Sequence, residues 1–166
     1  MVVVKSKRDT YGDKSNYLYN ALNYLYDEEK ALHMGGYAVN PYNLKETYEQ
    51  MMIVKKYFNK TSGNPLMHFI VSFDENVKTY ETAKSLAVLI CSYFKCRYQV
   101  LWAVHFKCRD NSMYHLHIIV NSVSFLDGKM FNSSPEELSR FCMHIQNCSG
   151  SPCVYRFASV LSSDDN

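Results

Sequence analysis

The sequence predicts an α+β domain with about five strands, and three observations support that prediction. The chain has 166 residues, a length that suits one domain with a sizeable core. Short apolar runs alternate between two faces as strands do, whereas longer segments repeat their apolar residues at helical spacing. Strand-like and helix-like segments interleave along the chain without an internal repeat. We therefore expect one domain over residues 1–161, followed by a flexible polar tail over residues 162–166.

The first elements are expected to be a strand and a helix. Val2–Lys5 is a short apolar run and predicts an edge strand. A helix is expected to begin near Ser15 or Asn16, because either residue suits an N-cap. Apolar residues then recur at i, i+3, i+4 and i+7 and predict a buried stripe formed by Leu18, Ala21, Leu22 and Leu25.

Two helices and a strand are expected in the middle of the chain. Asn43–Asn59 and Thr79–Phe94 have helical periodicity, and Asn43 is a suitable cap for the first of them. Leu66–Phe73 alternates between two faces and predicts a strand. His33–Tyr37 is expected to be a loop, because its paired glycines are typical of a break in regular structure.

The rest of the chain is expected to add three strands, a hairpin and a helix. The hairpin prediction depends on an Asp-Gly turn signal, and the helix prediction depends on a serine cap followed by proline. The segments are the strands Tyr98–His105 and Tyr114–Asn121, the hairpin of residues 122–125 and 129–131, the helix Pro135–Gln146 and the strand Cys153–Leu161.

Three histidines in two of these strands predict a metal site. His115 and His117 are two residues apart, so both point to the same face of their strand, together with Asn121. If the neighbouring strand is antiparallel, His105 at its end lies beside them. Neutral imidazole is a common metal ligand, and three such ligands leave positions open for water or substrate. The alternative is that the histidines only form hydrogen bonds at the surface of the sheet.

Composition narrows the class of protein without identifying its ligand. The net charge of +2 and the isoelectric point near 8.1 permit nucleic-acid binding but do not predict it. The six cysteines contain no Cys-x-x-Cys pair, so we expect reduced thiols. The longest apolar run, Leu86–Cys91, is too short to cross a membrane. The N-terminal residues become charged too early for a signal peptide, so we expect a cytoplasmic protein.

The histidine pattern resembles that of the relaxase/mobilisation nuclease family. His105, the His115-Leu116-His117 triplet and Asn121 are similar to the metal motif of these tyrosine-dependent DNA strand transferases. Two further motifs precede it in the order typical of the family, and the resemblance extends from about Asn20 to Phe131. It implies a mainly antiparallel five-stranded sheet with helices packed on one face and the metal and DNA site on the other.

The first of the other two motifs supplies the implied nucleophile. The segment from Ala21 to Lys30 resembles a short helix that ends in tyrosine and an aliphatic residue, with a lysine a few positions later, and that lysine falls on Lys30. The match assigns the nucleophilic tyrosine to Tyr24, and Tyr26 is the second candidate. Spacing alone does not select Tyr24 among 14 tyrosines. The alternative is a tyrosine that covers the edge of the core.

The second motif, His-hydrophobe-hydrophobe-x-Ser-Phe, matches the strand that begins at Leu66. Its serine, Ser72, is implied to contact DNA near the cleavage site; the alternative is a hydroxyl that binds the backbone at the end of a strand. His68 is interpreted as a structural residue or at most as a neighbour of the metal ligands. Lys107 departs from the family pattern, which commonly has aspartate there, and Asp110 is the candidate replacement.

The resemblance implies an endonuclease that forms a 5′-phosphotyrosine link with single-stranded DNA at a transfer origin, for conjugative mobilisation of a plasmid or integrative element. The family favours magnesium or manganese, although three nitrogen ligands hold zinc, nickel or copper more tightly. Accessory DNA-processing and coupling proteins are expected partners. The candidate DNA contacts are Ser72, Asn121 and the cations Lys5, Lys7, Arg8, Arg97 and Lys107.

Two alternative functions remain open. A relaxase-like module that recognises an origin and recruits partners without nicking is favoured by Lys107. A metal enzyme of another class, such as a small-molecule oxygenase, also uses paired histidines but usually adds a carboxylate ligand. A protein consisting of this domain alone and a domain of a longer relaxase are both consistent with the sequence.

Overall fold

The computed structural model describes residues 1–7, 16–26, 31–107 and 113–156, and this part of the chain forms six strands and four helices. The strands are β1 (Val2–Ser6), β2 (Ala31–Tyr37), β3 (Leu66–Ser72), β4 (Val100–Lys107), β5 (Met113–Asn121) and β6 (Cys153–Arg156). The helices are α1 (Tyr17–Leu25), α2 (Leu44–Tyr57), α3 (Tyr80–Cys91) and α4 (Pro135–Ser149). The α+β class predicted from the sequence is confirmed.

The strands form one mixed sheet in the order β2-β4-β5-β3-β1-β6. All neighbouring pairs are antiparallel except β1 and β6, which are parallel. The expected five-stranded antiparallel sheet is therefore corrected to a six-stranded mixed sheet. Strand β6 is parallel to β1 because the chain crosses over through α4 before it returns to the edge of the sheet.

The prediction of a loop at residues 33–37 is wrong, because β2 is a full edge strand. Its glycines allow a close approach and do not break the strand. Gly35 is paired with Trp102 of β4, and a Cβ atom at Gly35 would clash with the indole ring. The large side chain therefore occupies the space that glycine leaves, while the backbone pairing of the two strands continues.

Helices pack on both faces of the sheet, which corrects the expected one-sided arrangement. Helices α3 and α4 cover one face, where Phe69, Trp102 and Ile118 are buried. Helices α1 and α2 cover part of the opposite face, where Leu101 and Ile119 are buried. The reason lies in β5, because strand alternation places the apolar Ile119 on the same face as the two histidines, and that side chain needs a cover.

The helix boundaries agree closely with the sequence. Side chains of Asn43, Thr79 and Ser134 accept hydrogen bonds from backbone N–H groups three residues later, so each is an N-cap. Gly150 ends α4 in the left-handed region with φ of 69°. The predicted hairpin is present as an isolated antiparallel bridge between Val123 and Met130.

The last strand is shorter in the described region than the sequence predicts. Strand β6 ends at Arg156, and residues 157–161 and the expected tail lie outside the described residues. None of the helices in the described ranges is long and apolar enough to cross a membrane. The cysteines in those ranges are free thiols: Cys91, Cys96, Cys142, Cys148 and Cys153.

Candidate metal centre

The three predicted ligands converge at one end of strands β4 and β5. His105 is the cross-strand partner of His115, and His117 follows two residues later on the same face. One ligand nitrogen from each ring lies within 4.8 Å of the other two. His105 and His117 are buried, whereas His115 is half-buried. The cluster is therefore a compact set of imidazoles with one member at the surface.

The donor set fits a divalent metal ion. Nitrogen ligands at about 2.1 Å from one metal ion lie roughly 3 Å apart, and the three ring nitrogens lie within 4.8 Å of one another before any ion is bound. Metal ligation requires neutral imidazole, and burial lowers the pKa of His117 well below its ordinary value, with neighbouring histidines and Lys7 adding to the effect. His117 is thus uncharged at neutral pH, as a ligand must be.

A fourth histidine supports the cluster from strand β3. The Nε2 atom of His68 lies 2.9 Å from the Nδ1 atom of His117, and both side chains are buried. This hydrogen bond engages Nδ1 and leaves Nε2 of His117 for a ligand role. Burial and the charge of Lys7 lower the pKa of His68 to about 3, so this ring is also neutral at neutral pH.

The contact of His68 with His117 agrees with the second interpretation of His68, a neighbour of the predicted metal ligands. Strand alternation already placed His68 on the same face as Ser72, but it could not show which residues lie opposite them on the neighbouring strand. In the structure β3 is antiparallel to β5, with Ile70 opposite His117 and Ser72 opposite His115. Cross-strand register was the missing information, because it depends on long-range pairing.

Tyr24 lies against the histidines and Tyr26 does not. The ring centroid of Tyr24 is 5.4 Å from that of His117 and 6.3 Å from that of His105. The hydroxyl of Tyr26 instead lies 3.3 Å from Oγ1 of Thr47 on α2. Tyr24 lies in the last turn of α1, whereas Tyr26 is the C-cap residue that follows the helix, and the two side chains have different neighbours.

A lysine completes the surroundings of Tyr24. The Nζ atom of Lys7 lies 4.0 Å from the centroid of the Tyr24 ring, a cation–π distance. The backbone N–H of Lys7 donates to the carbonyl of His68 at 2.8 Å, which holds this residue at the end of β1 beside the cluster. Burial lowers the pKa of Lys7 from its ordinary value. A cation therefore lies beside the tyrosine and the histidines.

Two of the other predicted DNA contacts are described, and they differ in their accessibility. Ser72 is half-buried beside His115, on the face of the histidines. The side chain of Asn121 is fully buried, and its Nδ2 atom donates to the carbonyl of Met51 and to Oε1 of Gln99. These internal bonds argue against a DNA contact at Asn121. Strand alternation gave the correct face, but α2 covers that end of β5.

Arg97 forms an ion pair within the protein. Its guanidinium lies 2.6 Å from the carboxylate of Asp127, so its nearest anionic partner is internal.

Four further candidate residues have side chains outside the described part of the structure. Arg8, Lys30 and Asp110 lie outside the described residues, as does the side chain of Lys107, whose backbone is the end of β4.

A model of a known protein family matches most of the chain. The model of the family described as "Relaxase: MobA/VirD2-like, nuclease domain" matches residues 17–147. The matched range begins at α1 and ends within α4, and it contains the three histidines, Tyr24 and Ser72. No curated protein sequence matches this chain.

Proposed function

Because this chain belongs to the family of MobA/VirD2-like relaxase nuclease domains, we propose that it nicks single-stranded DNA at a transfer origin and that Tyr24 is the nucleophile. The single observation that carries this proposal is the contact of Tyr24 with the histidine cluster, at a centroid distance of 5.4 Å from His117. A nucleophile for phosphoryl transfer has to lie beside the group that binds the phosphate.

The proposed reaction is a transesterification. The hydroxyl oxygen of Tyr24 attacks the phosphorus, a new phosphorus–oxygen bond forms, and the bond from phosphorus to the 3′-oxygen breaks. The tyrosine proton passes to a base or to solvent, and the leaving oxygen takes up a proton to become a free 3′-hydroxyl. The 5′-phosphate remains on Tyr24 as a diester, so the reverse reaction can rejoin a strand.

The side chains around Tyr24 have distinct proposed roles. His105, His115 and His117 would hold a divalent ion, which would supply positive charge to the non-bridging phosphate oxygens. The Lys7 ammonium would favour the tyrosinate and the phosphate, because a tyrosine hydroxyl needs a nearby cation or base to act as a nucleophile at neutral pH. Ser72 would contact the strand near His115.

Two considerations bear on the identity of the metal, and they favour different ions. The family favours magnesium or manganese, whereas three imidazole nitrogens bind zinc, nickel or copper more tightly. We propose manganese or magnesium for the reaction. We also propose that accessory DNA-processing and coupling proteins in the cytoplasm receive the strand that is linked to Tyr24.

A second candidate function is a DNA-binding module that recognises an origin without cutting it. The observation that favours it is Lys107, which occupies the position where the family commonly has aspartate. If Asp110 does not replace that acid, the chain keeps its metal cluster and its DNA contacts but loses efficient activation of the tyrosine.

A denaturing-gel assay tests the proposal. Purified protein would be mixed with single-stranded oligonucleotides that cover the transfer origin of its own element, with manganese or with chelator. We expect a metal-dependent adduct that survives denaturation and maps to Tyr24 by mass spectrometry. Tyr24→Phe should abolish the adduct, and the matched control Tyr26→Phe should keep it, because the Tyr26 hydroxyl faces Thr47.

Each other outcome has a defined meaning. An adduct on Tyr26 would keep the reaction and replace the nucleophile. Tight binding to an origin strand without any adduct would favour the non-catalytic module, and Lys107→Asp would then be the first substitution to restore nicking. Absence of both binding and adduct would reject both functions.

A further inference from the structure

Within the described residues, helices α1 and α2 cover only part of the sheet face that carries the histidines. The cluster under α1 and α2 takes its buried strand residues from β3, β4 and β5: Leu66, Leu101, Ala103 and Ile119. Strands β1 and β6 contribute no residue to it. Val2 and Val4 are fully buried on the opposite face, so Val3 and Lys5 point away from the α3/α4 core.

Strand register connects this uncovered part of the sheet to the metal centre. One row of cross-strand partners runs from His115 to Ser72, Val3 and Val154. The next row begins at His117 and continues through Ile70, Lys5 and Arg156. Neighbouring strands lie about 4.8 Å apart, so these rows cover roughly 14 Å from β5 to β6.

The uncovered rows carry positive charge without a described negative partner. Lys5 and Arg156 are exposed and are direct cross-strand partners. Neither forms an ion pair with any residue that the structure describes. Like charges directly opposite each other destabilise a sheet. A polyanion bound across them would remove that cost, and Lys7 adds a third cation next to Tyr24.

We propose that this basic strip, defined as Val3, Lys5, Lys7, Ser72, Val154 and Arg156, binds the sugar-phosphate backbone of the single-stranded DNA where it leaves the metal centre. The inference rests on the proposed nuclease function and adds the path of the strand. Lys5 and Arg156 bind successive phosphates, and the half-buried Val3 with the 37% exposed Val154 supplies an apolar surface for sugars or bases.

The salt dependence of DNA binding tests the strip independently of cleavage. The Tyr24→Phe protein would be titrated with fluorescein-labelled oligo(dT) in chelator, and the anisotropy would be followed at several salt concentrations. The plot of log affinity against log salt loses about 0.7 in slope for each phosphate contact with a single strand. We expect Lys5→Gln/Arg156→Gln to bind more weakly and to flatten the slope by about 1.4.

Two further variants make the result specific. Lys84→Gln/Lys95→Gln removes the same charge from exposed positions on and just after α3, behind the sheet, and should leave the slope unchanged. Val154→Lys adds a cation to the strip and should steepen the slope by about 0.7, a gain that misfolding cannot produce.

The outcomes separate the inference from the function on which it rests. If the parent protein binds oligo(dT) and the strip variants match its slope and affinity, or if the control pair weakens binding equally, the strip is rejected and the nuclease proposal stands. If the parent protein fails to bind single-stranded DNA even at low salt, the proposed function itself is rejected. Thermal melts of all variants would identify any that fail to fold.

Discussion

Strand β5 carries two polar clusters on one face, and the polar atoms of the two clusters have different neighbours. At one end, His115 and His117 turn ring nitrogens toward His105, within 4.8 Å of one another. At the other end, the amide of Asn121 donates to Gln99 and to the carbonyl of Met51. Both clusters follow from the same strand alternation, yet the donor atoms of the Asn121 cluster are engaged with one another, whereas the histidine cluster brings three imidazole ligands together.

The surroundings of the two clusters explain the difference. Helix α2 covers the Asn121 end, where Gln99 passes the network on to the carbonyl of Ala38 and Lys55 donates to Ser122. This network satisfies its amide groups internally, which is typical of a structural role. The histidine end instead adjoins the half-buried Tyr24 and the basic strip. Accessibility together with convergent donor atoms distinguishes the candidate for chemistry.

The largest expected effect comes from removing a member of the histidine cluster. His117→Ala should abolish tight binding of manganese or cobalt, with a loss of more than about 100-fold in affinity, because it deletes a ligand and its support. Isothermal titration calorimetry measures this loss. Asn121→Ala is the matched control on the same strand face, and it should keep metal affinity while lowering the melting temperature. Equal metal affinity in His117→Ala and wild type would contradict the assignment.

Lys55 of α2 is a buried titratable residue that packs against the Asn121 end of β5, and the effect of its burial on stability can be measured. Lys55 is 2% exposed, its Nζ donates to Oγ of Ser122 at 3.0 Å, and burial lowers its pKa from 10.5 to about 8. Between pH 8 and 10.5 the folded chain has released this proton while the unfolded chain still holds it. Wild-type stability attributable to Lys55 therefore rises with pH through this window.

Substitution of Lys55 isolates that effect. The free energy of unfolding of Lys55→Met minus that of wild type should fall by on the order of 3 kcal/mol between pH 7 and pH 10.5, since each pKa unit corresponds to about 1.4 kcal/mol. The difference falls because the wild type gains stability over this range, whereas methionine does not titrate. Urea unfolding of both proteins across this range gives the difference, and other titrating groups cancel in the comparison. A constant difference across the range would show that burial does not perturb Lys55.

Local patterns predicted part of this molecule well, and long-range pairing determined the rest. The caps and periodicity of α2, α3 and α4 are local, and so is the alternation that puts His115 and His117 on one face. Strand β2 was missed because a Gly-Gly pair normally signals a turn, whereas here Gly35 accommodates Trp102 from another strand. Its environment depends on β4, which local sequence does not reveal.

Local sequence patterns also could not predict the arrangement of the site, because it depends on long-range contacts. Helical spacing could not distinguish Tyr24 from Tyr26, because the choice depends on which side of α1 faces the sheet; only the family motif favoured Tyr24. The partnership of His68 with His117 depends on the register between β3 and β5. The parallel pairing that brings Arg156 beside Lys5 depends on where the chain returns after α4.

The smallest effect that we predict at the histidine end concerns the hydrogen bond between His68 and His117. For Nε2 of His117 to bind a metal, its Nδ1 must carry the proton, so Nε2 of His68 must be the acceptor of their 2.9 Å hydrogen bond. His68→Ala removes that acceptor and should weaken metal affinity by about 10- to 100-fold, the usual cost of losing such a support.

A conservative variant separates orientation from packing. His68→Gln keeps an acceptor oxygen and should recover part of the affinity, whereas His68→Leu fills space without an acceptor and should not. The absorption spectrum of bound cobalt provides a second measurement, since a misoriented His117 changes the ligand geometry. If all three variants bind cobalt as wild type does, with the same spectrum, His68 is a packing residue and the two ends of β5 are less different than their hydrogen bonds indicate.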